Sequence, residues 1–269
     1  MSALSFTLRN APARQVDLSA LIPSKLAGLS VADIERLAIG SGEGALCVGD
    51  VFSVSGAPGE ALVISGGSPQ FDFVGAGLDQ GSITVEGAVG NLAGRGMTGG
   101  KLEIQGDAGA HLASTAKGGL VHVKGSAGDY AGGVWIGDKF GMLGGIVVVE
   151  GNIGERAGER MRRGMIIAHG TFGPAAGARM VGGTLWAETG FGAGPGPLLR
   201  RGTLIAPKVE AFLPSFSDCG EHDLVVLRIL SRFIADALGP LAPKPLPHKV
   251  RKFAGDRATI GKGEILLTG

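Results

Sequence analysis

Five histidines, His111, His122, His169, His222 and His248, are the residues of this chain best suited to metal or acid–base chemistry. Their spacing does not support it. No H-x-H or H-E-x-x-H pattern occurs, whereas a binuclear metal centre needs several histidines and carboxylates converging within a few ångströms. Cys47 and Cys219 have no second cysteine nearby and no evident basic partner, so they are expected to be buried, reduced thiols. No G-x-S-x-G elbow presents a serine nucleophile. The glycines of Gly90-Asn91-Leu92-Ala93-Gly94 could suggest a phosphate loop, but they recur along the chain with no helix between copies. The residues therefore predict no catalytic group, no metal ligand and no nucleotide site.

What could position functional residues is a repeat. The chain holds 50 glycines among 269 residues without a Gly-X-Y period, and 44% of its residues are apolar, so it is neither collagen-like nor disordered. Gly87, Gly106, Gly125, Gly151 and Gly170 lie 19, 19, 26 and 19 residues apart, the long interval being one period plus a seven-residue insertion around residues 132–137. A second glycine follows three positions later, then a small residue and a further glycine: G-x-x-G-x-x-A-G. Before each unit lies a short alternating segment, Ile83/Val85, Leu102/Ile104, Val121/Val123, Val147/Val149, Ile166/Ala168, Leu185/Ala187 and Leu204/Ala206. Period-two alternation is that of a strand with one buried face. One such strand per 19 residues cannot bury its face alone, so successive copies must stack about 4.8 Å apart.

The fold class expected is mainly β: a right-handed parallel β-helix of about 19 residues per coil, with an N-terminal cap and a C-terminal helix plus extended arm. Its expected parts are a cap over 1–44, the glycine-rich β-helix over 45–208, and a helix, proline-rich arm and terminal hairpin over 209–269. Leu46/Val48 and Val63/Ser65 read as degenerate leading coils. In the cap, Ser5-Phe6-Thr7-Leu8 is extended, and a helix begins at Ser30, with Asp33 at the capping-box position, and ends at Gly40. A stronger helix runs from Asp223 to Leu238, with Leu224, Leu227, Leu230, Ile234 and Leu238 on its apolar face. Four prolines between Pro240 and Pro247 then give an arm that reaches along the β-helix or onto a neighbouring subunit.

Two columns emerge when the repeats are stacked. Arg160 and Arg179 are equivalent, as are Lys117, Arg162 and Arg200, with Arg163 and Arg201 beside them. They form a basic stripe that is either a contact for carboxylates or a solvated edge neutralised by Glu155, Glu159 and Asp138. The outward strand positions end in Val148, Ile167, Trp186 and Ile205, an apolar strip that is either an interface or a seat for the chain's own helix. The net charge of +1 gives no reason to expect nucleic acid. No segment reads as a membrane span, and the opening residues lack the charge and apolar run of a secretion signal, so a cytoplasmic location is expected.

The 19-residue unit resembles the GXGXG domain of glutamate synthase large subunits and of the formylmethanofuran dehydrogenase C-subunit. A lone repeat array with its own lids, the Leu213-Pro214-Ser215-Phe216 step, and the ending Phe253-Ala254-Gly255-Asp256 with Gly261-Lys262-Gly263-Glu264 favour the C-subunit family. Abundant Ala, Gly and Arg favour its bacterial branch, the formyltransferase/hydrolase complex. The resemblance implies a non-catalytic scaffold in a complex that moves formyl from formyl-tetrahydromethanopterin to a methanofuran-type carrier and releases formate. It implies amidohydrolase-like, formyltransferase-like and dehydrogenase-B-like partners, with metal ions and carrier held by those subunits and no cofactor in this chain. In that setting the basic stripe would meet a partner's acidic surface or an acidic carrier tail. The alternatives are the C-subunit of a molybdenum or tungsten formylmethanofuran dehydrogenase and a glutamate-synthase-type domain. A surface protein and a hexapeptide-repeat acyltransferase fit less well, lacking respectively a secretion signal and a six-residue period.

Overall fold

A computed structural model describes residues 3–40 and 45–269, so the boundary expected at 44/45 and the first two residues lie outside the described residues. The protein is mainly β, with a large, mostly parallel sheet and a C-terminal helix. Eight strands pair parallel in chain order: Ala61–Ser65, Ser82–Glu86, Lys101–Ile104, Lys117–Val123, Gly144–Val149, Met165–Ala168, Thr184–Ala187 and Arg201–Ala206. Their register stacks Leu62, Ile83, Leu102, Val121, Val147, Ile166, Leu185 and Leu204 into one buried ladder. Ile64, Val85, Ile104, Val123, Val149, Ala168 and Ala187 form a second.

The strands are only one of the lines along which successive repeats meet. Away from the sheet, parallel bridges join Val89, Ala108, Ala127, Ile153 and Phe172 in sequence, and Phe172 pairs with Phe191, their rings stacked at 5.1 Å. At a third place the Ala113 N–H donates to Ala93, that of Gly132 to Leu112, that of Gly158 to Ala131, and that of Gly177 to Ala157. The apolar side chains between these lines form one contiguous core. Side chains add polar ladders on the outer turns: the Asp72 carboxylate accepts from Asn91 N–H, and the Asn91 side-chain oxygen accepts from Ala110 N–H. Glycine is required at the corner occupied by Gly132, where φ is +65° and a Cβ would lie 2.4 Å from Ile166 Cδ1.

The leading coils differ from expectation. Leu62 and Ile64, not Val63 and Ser65, face the core, each 1% exposed. Ala61-Leu62-Val63-Ile64 is apolar without alternation, so its sequence does not fix which face is buried, and a one-residue slip exchanges the two. Val48 opens a short helix, Val48–Val51, instead of a strand. The position before Ala61–Ser65 belongs to Leu4–Leu8, which pairs parallel with it, and Phe52–Ser55 closes that edge antiparallel. Phe6 meets Phe52 edge-on at 6.0 Å. Ser30 and Asp33 form the expected capping box, but the helix is Val31–Glu35 and stops short of Gly40, because the chain turns there to bridge Ala38 to Cys47.

The far edge is built from the tail. Lys262–Leu267 pairs parallel with Arg201–Ala206 and so continues the stack; Lys249–Gly255 returns antiparallel to it, and Ser217–Asp223 forms the outermost strand. That strand carries a register shift and a run of charged residues, both of which blunt an open edge. The helix spans Val225–Leu238, starting later than expected because Asp223 ends the strand, and Gly239 terminates it at φ +54°. The arm docks on the protein's own sheet and helix: the Lys244 N–H donates to Glu188 Oε1 at 2.7 Å beside the sheet, and that of Leu246 to Ser231 Oγ of the helix at 3.0 Å.

This packing decides between the two readings of the apolar strip in favour of a seat for the chain's own helix. Val148, Ile167, Trp186 and Ile205 are 0–3% exposed, covered by Leu227, Ile234 and Leu238 of the helix with Leu246, Val250 and Leu266. They are core, not interface. Cys219, by contrast, is exposed on the outermost strand and Cys47 is half-buried, both as free thiols, so neither is the fully buried cysteine expected.

Candidate functional site

The insertion that interrupts the 19-residue period is where the surface becomes distinctive. Arg95 reaches across from an earlier repeat to hold Asp138 through two hydrogen bonds, 2.6 and 3.1 Å, and the Trp135 N–H donates to the same carboxylate. The Arg95 hydrogen bond holds Asp138 below the usual aspartate range. Trp135 packs edge-on against His111 at 4.8 Å, and His111 stacks on Tyr130 at 4.9 Å. Burial pushes the His111 pKa down, so a neutral imidazole fills this sandwich at neutral pH. Arg156 lies over the Tyr130 ring and forks onto Glu159, itself 5% exposed.

A loop pinned in this way delivers Lys139 and Phe140 to one wall of an open groove of about 380 Å³. Arg160, Arg179, Val181, Leu198 and Arg200 line the rest of it, together with Thr259 of the terminal hairpin. Arg160, Arg179 and Leu198 are successive copies of one position, all in the left-handed region at φ 52°, 53° and 59°. Phe140, Val181 and Leu198 make the lining apolar while the cations stand around it. The Arg162 guanidinium lies 5.0 Å from the Phe140 ring centre and the Lys139 ammonium 5.4 Å.

The sequence-derived stripe therefore divides. Arg160, Arg179 and Arg200 line the groove and Arg162 borders it on Phe140, whereas Lys117, Arg163 and Arg201 are exposed at strand entrances outside it. Leu143 intervenes between the Lys117 and Arg162 repeats and Val181 between those of Arg162 and Arg200, which breaks the stripe into clusters. Among the described residues only Arg179 of the seven approaches a carboxylate, Glu159 at 3.8 Å, and Glu159 is already forked by Arg156 while Asp138 is held by Arg95.

Among the described residues no three His, Cys, Asp or Glu side chains come together as a metal site. His122 bonds Glu150 at 2.8 Å and His169 bonds Glu188, each pairing neighbouring strands. A second surface feature is the outer face of the helix, where Val225, Val226, Ile229 and Phe233 are 57–64% exposed.

No protein-family model matches the chain. A curated relative does: the C-subunit of the formyltransferase/hydrolase complex Fhc of Methylorubrum extorquens is 49% identical over 260 residues, 97% of each chain. The chain belongs to the C-subunit family of formyltransferase/hydrolase complexes. The family's fold is matched as closely: a chain in the crystal structure of the formyltransferase/hydrolase complex FhcABCD of Methylorubrum extorquens, solved with methylofuran, superposes at TM-score 0.94 and 41% identity, covering 98% of this chain and 99% of that one.

For this C-subunit, sequence reasoning missed Lys139, Phe140, Val181, Leu198 and Thr259 in the groove, and the outer helix face. The insertion was the available signal for Lys139 and Phe140, since a break in a strict period must bulge outward. The helix was legible in the doublets Val225-Val226 and Phe233-Ile234, which put apolar side chains on two faces at once. No helix among the described residues is long and apolar enough to cross a membrane.

Proposed function

We propose that this chain is the non-catalytic scaffold subunit of a cytoplasmic formyltransferase/hydrolase complex, which passes formyl from formyl-tetrahydromethanopterin to a methanofuran-type carrier and hydrolyses it to formate. The observation that carries this reading is the match to the C-subunit of such a complex over 97% of each chain. The reading extends to architecture: the repeats wind as a right-handed parallel β-helix, supported by three lines of backbone contact between successive copies. Residues 1–44 act as its cap, 45–208 as its body and 209–269 as its closing element. Metal ions and carrier belong to amidohydrolase-like, formyltransferase-like and dehydrogenase-B-like partners, and this chain holds no cofactor.

The exposed Val225, Val226, Ile229 and Phe233 suit assembly, since a contiguous apolar face of this kind on a packed helix marks a contact surface. The test is purification of the tagged native chain from its own cells. Co-purifying formyltransferase and hydrolase chains, with formate release that requires the complex and is absent from this chain alone, is the expected result. Formate release by the isolated chain, or recovery of the chain without such partners, removes the reading.

A further inference from the structure

We infer that the groove between the insertion and the terminal hairpin seats an extended, carboxylate-rich segment of another protein chain. This rests on the scaffold reading only in supplying a partner chain; the groove argument stands on its own residues.

Charge is the first observation. The whole chain carries only one net positive charge, yet Lys139, Arg160, Arg179 and Arg200 line a single groove and Arg162 borders it. Among the described residues four of these five make no ion pair, and the fifth, Arg179, has only a carboxylate shared with Arg156. Cations concentrated in this way on a near-neutral protein, all but the half-buried Arg160 exposed, create a local positive potential that attracts an anionic ligand.

The arrangement of the cations narrows the ligand. They stand around an apolar lining of Phe140, Val181 and Leu198; Arg160, Arg179 and Arg200 come from three successive repeats stacked about 4.8 Å apart and Lys139 from the insertion, so the positive charge is spread along the groove. A compact anion such as phosphate would leave most of it unmatched. An extended polypeptide with acidic residues and an intervening apolar side chain matches both features, and guanidinium forks suit carboxylates. The frame is also preorganised: Arg95 and Asp138 fix the insertion, and the Thr259 hydroxyl donates to the Leu199 carbonyl at 2.9 Å, anchoring the hairpin end.

Two measurements test this. In the purified complex, Leu198 replaced by a photoreactive benzoylphenylalanine is expected to cross-link to a segment of another subunit rich in Asp and Glu. No inter-chain cross-link, or one to a neutral or basic segment, overturns the inference. With the isolated full chain, a fluorescein-labelled peptide of ten residues, glutamates with leucine at every third position, is expected to bind. The double variant Arg160→Glu/Arg200→Glu should weaken that binding about tenfold or more, through the loss of two charge-assisted contacts. Arg163→Glu/Arg201→Glu, outside the groove, should change it less than about twofold. Equal losses in the two double variants, equally tight binding of a single-stranded DNA oligonucleotide, or no peptide binding would each reduce the groove to non-specific charge. Co-purification of formyltransferase chains is scored separately, so the groove can fail while the scaffold reading stands, and the reverse.

Discussion

Arg95 and Asp138 meet through paired hydrogen bonds of 2.6 and 3.1 Å although 43 residues separate them, and this contact ties the insertion to a neighbouring repeat. Both side chains are mostly shielded from water, at 25% and 20% exposure, so the pair is worth more than a surface salt bridge. Asp138→Ala is expected to cost about 1–3 kcal/mol and to raise hydrogen exchange through residues 133–140 far more than in the sheet. Because Arg95 lowers the Asp138 pKa, this stabilisation is complete above the ordinary aspartate range and is lost as pH falls through the depressed value in the folded protein. Unchanged exchange of the loop in the variant would show that the ion pair does not hold it.

Gly132 and Ala113 occupy the same corner of successive repeats, at φ +65° and +53°. Ala113 shows that a methyl can be housed there, but at Gly132 a Cβ would collide with Ile166 Cδ1 at 2.4 Å. Gly132→Ala is therefore expected to destabilise by about 2–4 kcal/mol, combining left-handed backbone strain with overpacking. Ala113→Gly should stay within about 1 kcal/mol, because relief of strain offsets the added freedom of the unfolded chain. Denaturant midpoints of the two variants give the comparison directly; equal shifts would mean that the Ile166 contact is not the cause.

Much of this is readable from residues whose neighbours repeat. Ile83, Leu102 and Val121 declare a face because each stands two positions from another β-branched or aliphatic residue and 19 from its own copy. Leu62 and Ile64 are displaced by one position from the expected face, since Val63 between them is as apolar as they are. Leu4–Leu8 could not be recognised as a rung because it lies 58 residues from its partner strand and belongs to no repeat. The basic groove was half legible: Arg160, Arg179 and Arg200 follow the period, whereas Phe140 and Thr259 arrive from an insertion and a hairpin, whose positions depend on the folded chain. The fate of Trp186 was undecidable in sequence, because an outward apolar residue serves equally a partner and the chain's own helix.

Ile234, 1% exposed, stands in the helix face that covers Trp186. Ile234→Ala should cost about 2–4 kcal/mol through lost burial and a residual cavity. Trp186 is one of two tryptophans, so in a Trp135→Phe background its emission reports on this interface alone. A red shift is expected in Ile234→Ala and none in Phe233→Ala, whose side chain is 58% exposed. In the assembled complex the order should reverse, with Phe233→Asp weakening association more than Ile234→Ala.

Glu188 decides how the proline arm is held, because its carboxylate accepts both from the Lys244 N–H and from the His169 ring. Burial alone would raise its pKa, but the Lys244 and His169 hydrogen bonds together with nearby positive charge outweigh that and leave it below the usual glutamate range. A depressed carboxylate stabilises the fold above its unfolded pKa, and the contribution disappears as pH falls through the lower value of the folded state. The arm should thus remain docked at neutral pH and loosen only in acid. Glu188→Ala should loosen it at neutral pH, seen as faster proteolysis between Pro240 and Pro247 while the sheet stays resistant. Equal cleavage of wild type and variant at neutral pH would assign the arm's docking to Leu246 and the Ser231 hydroxyl instead.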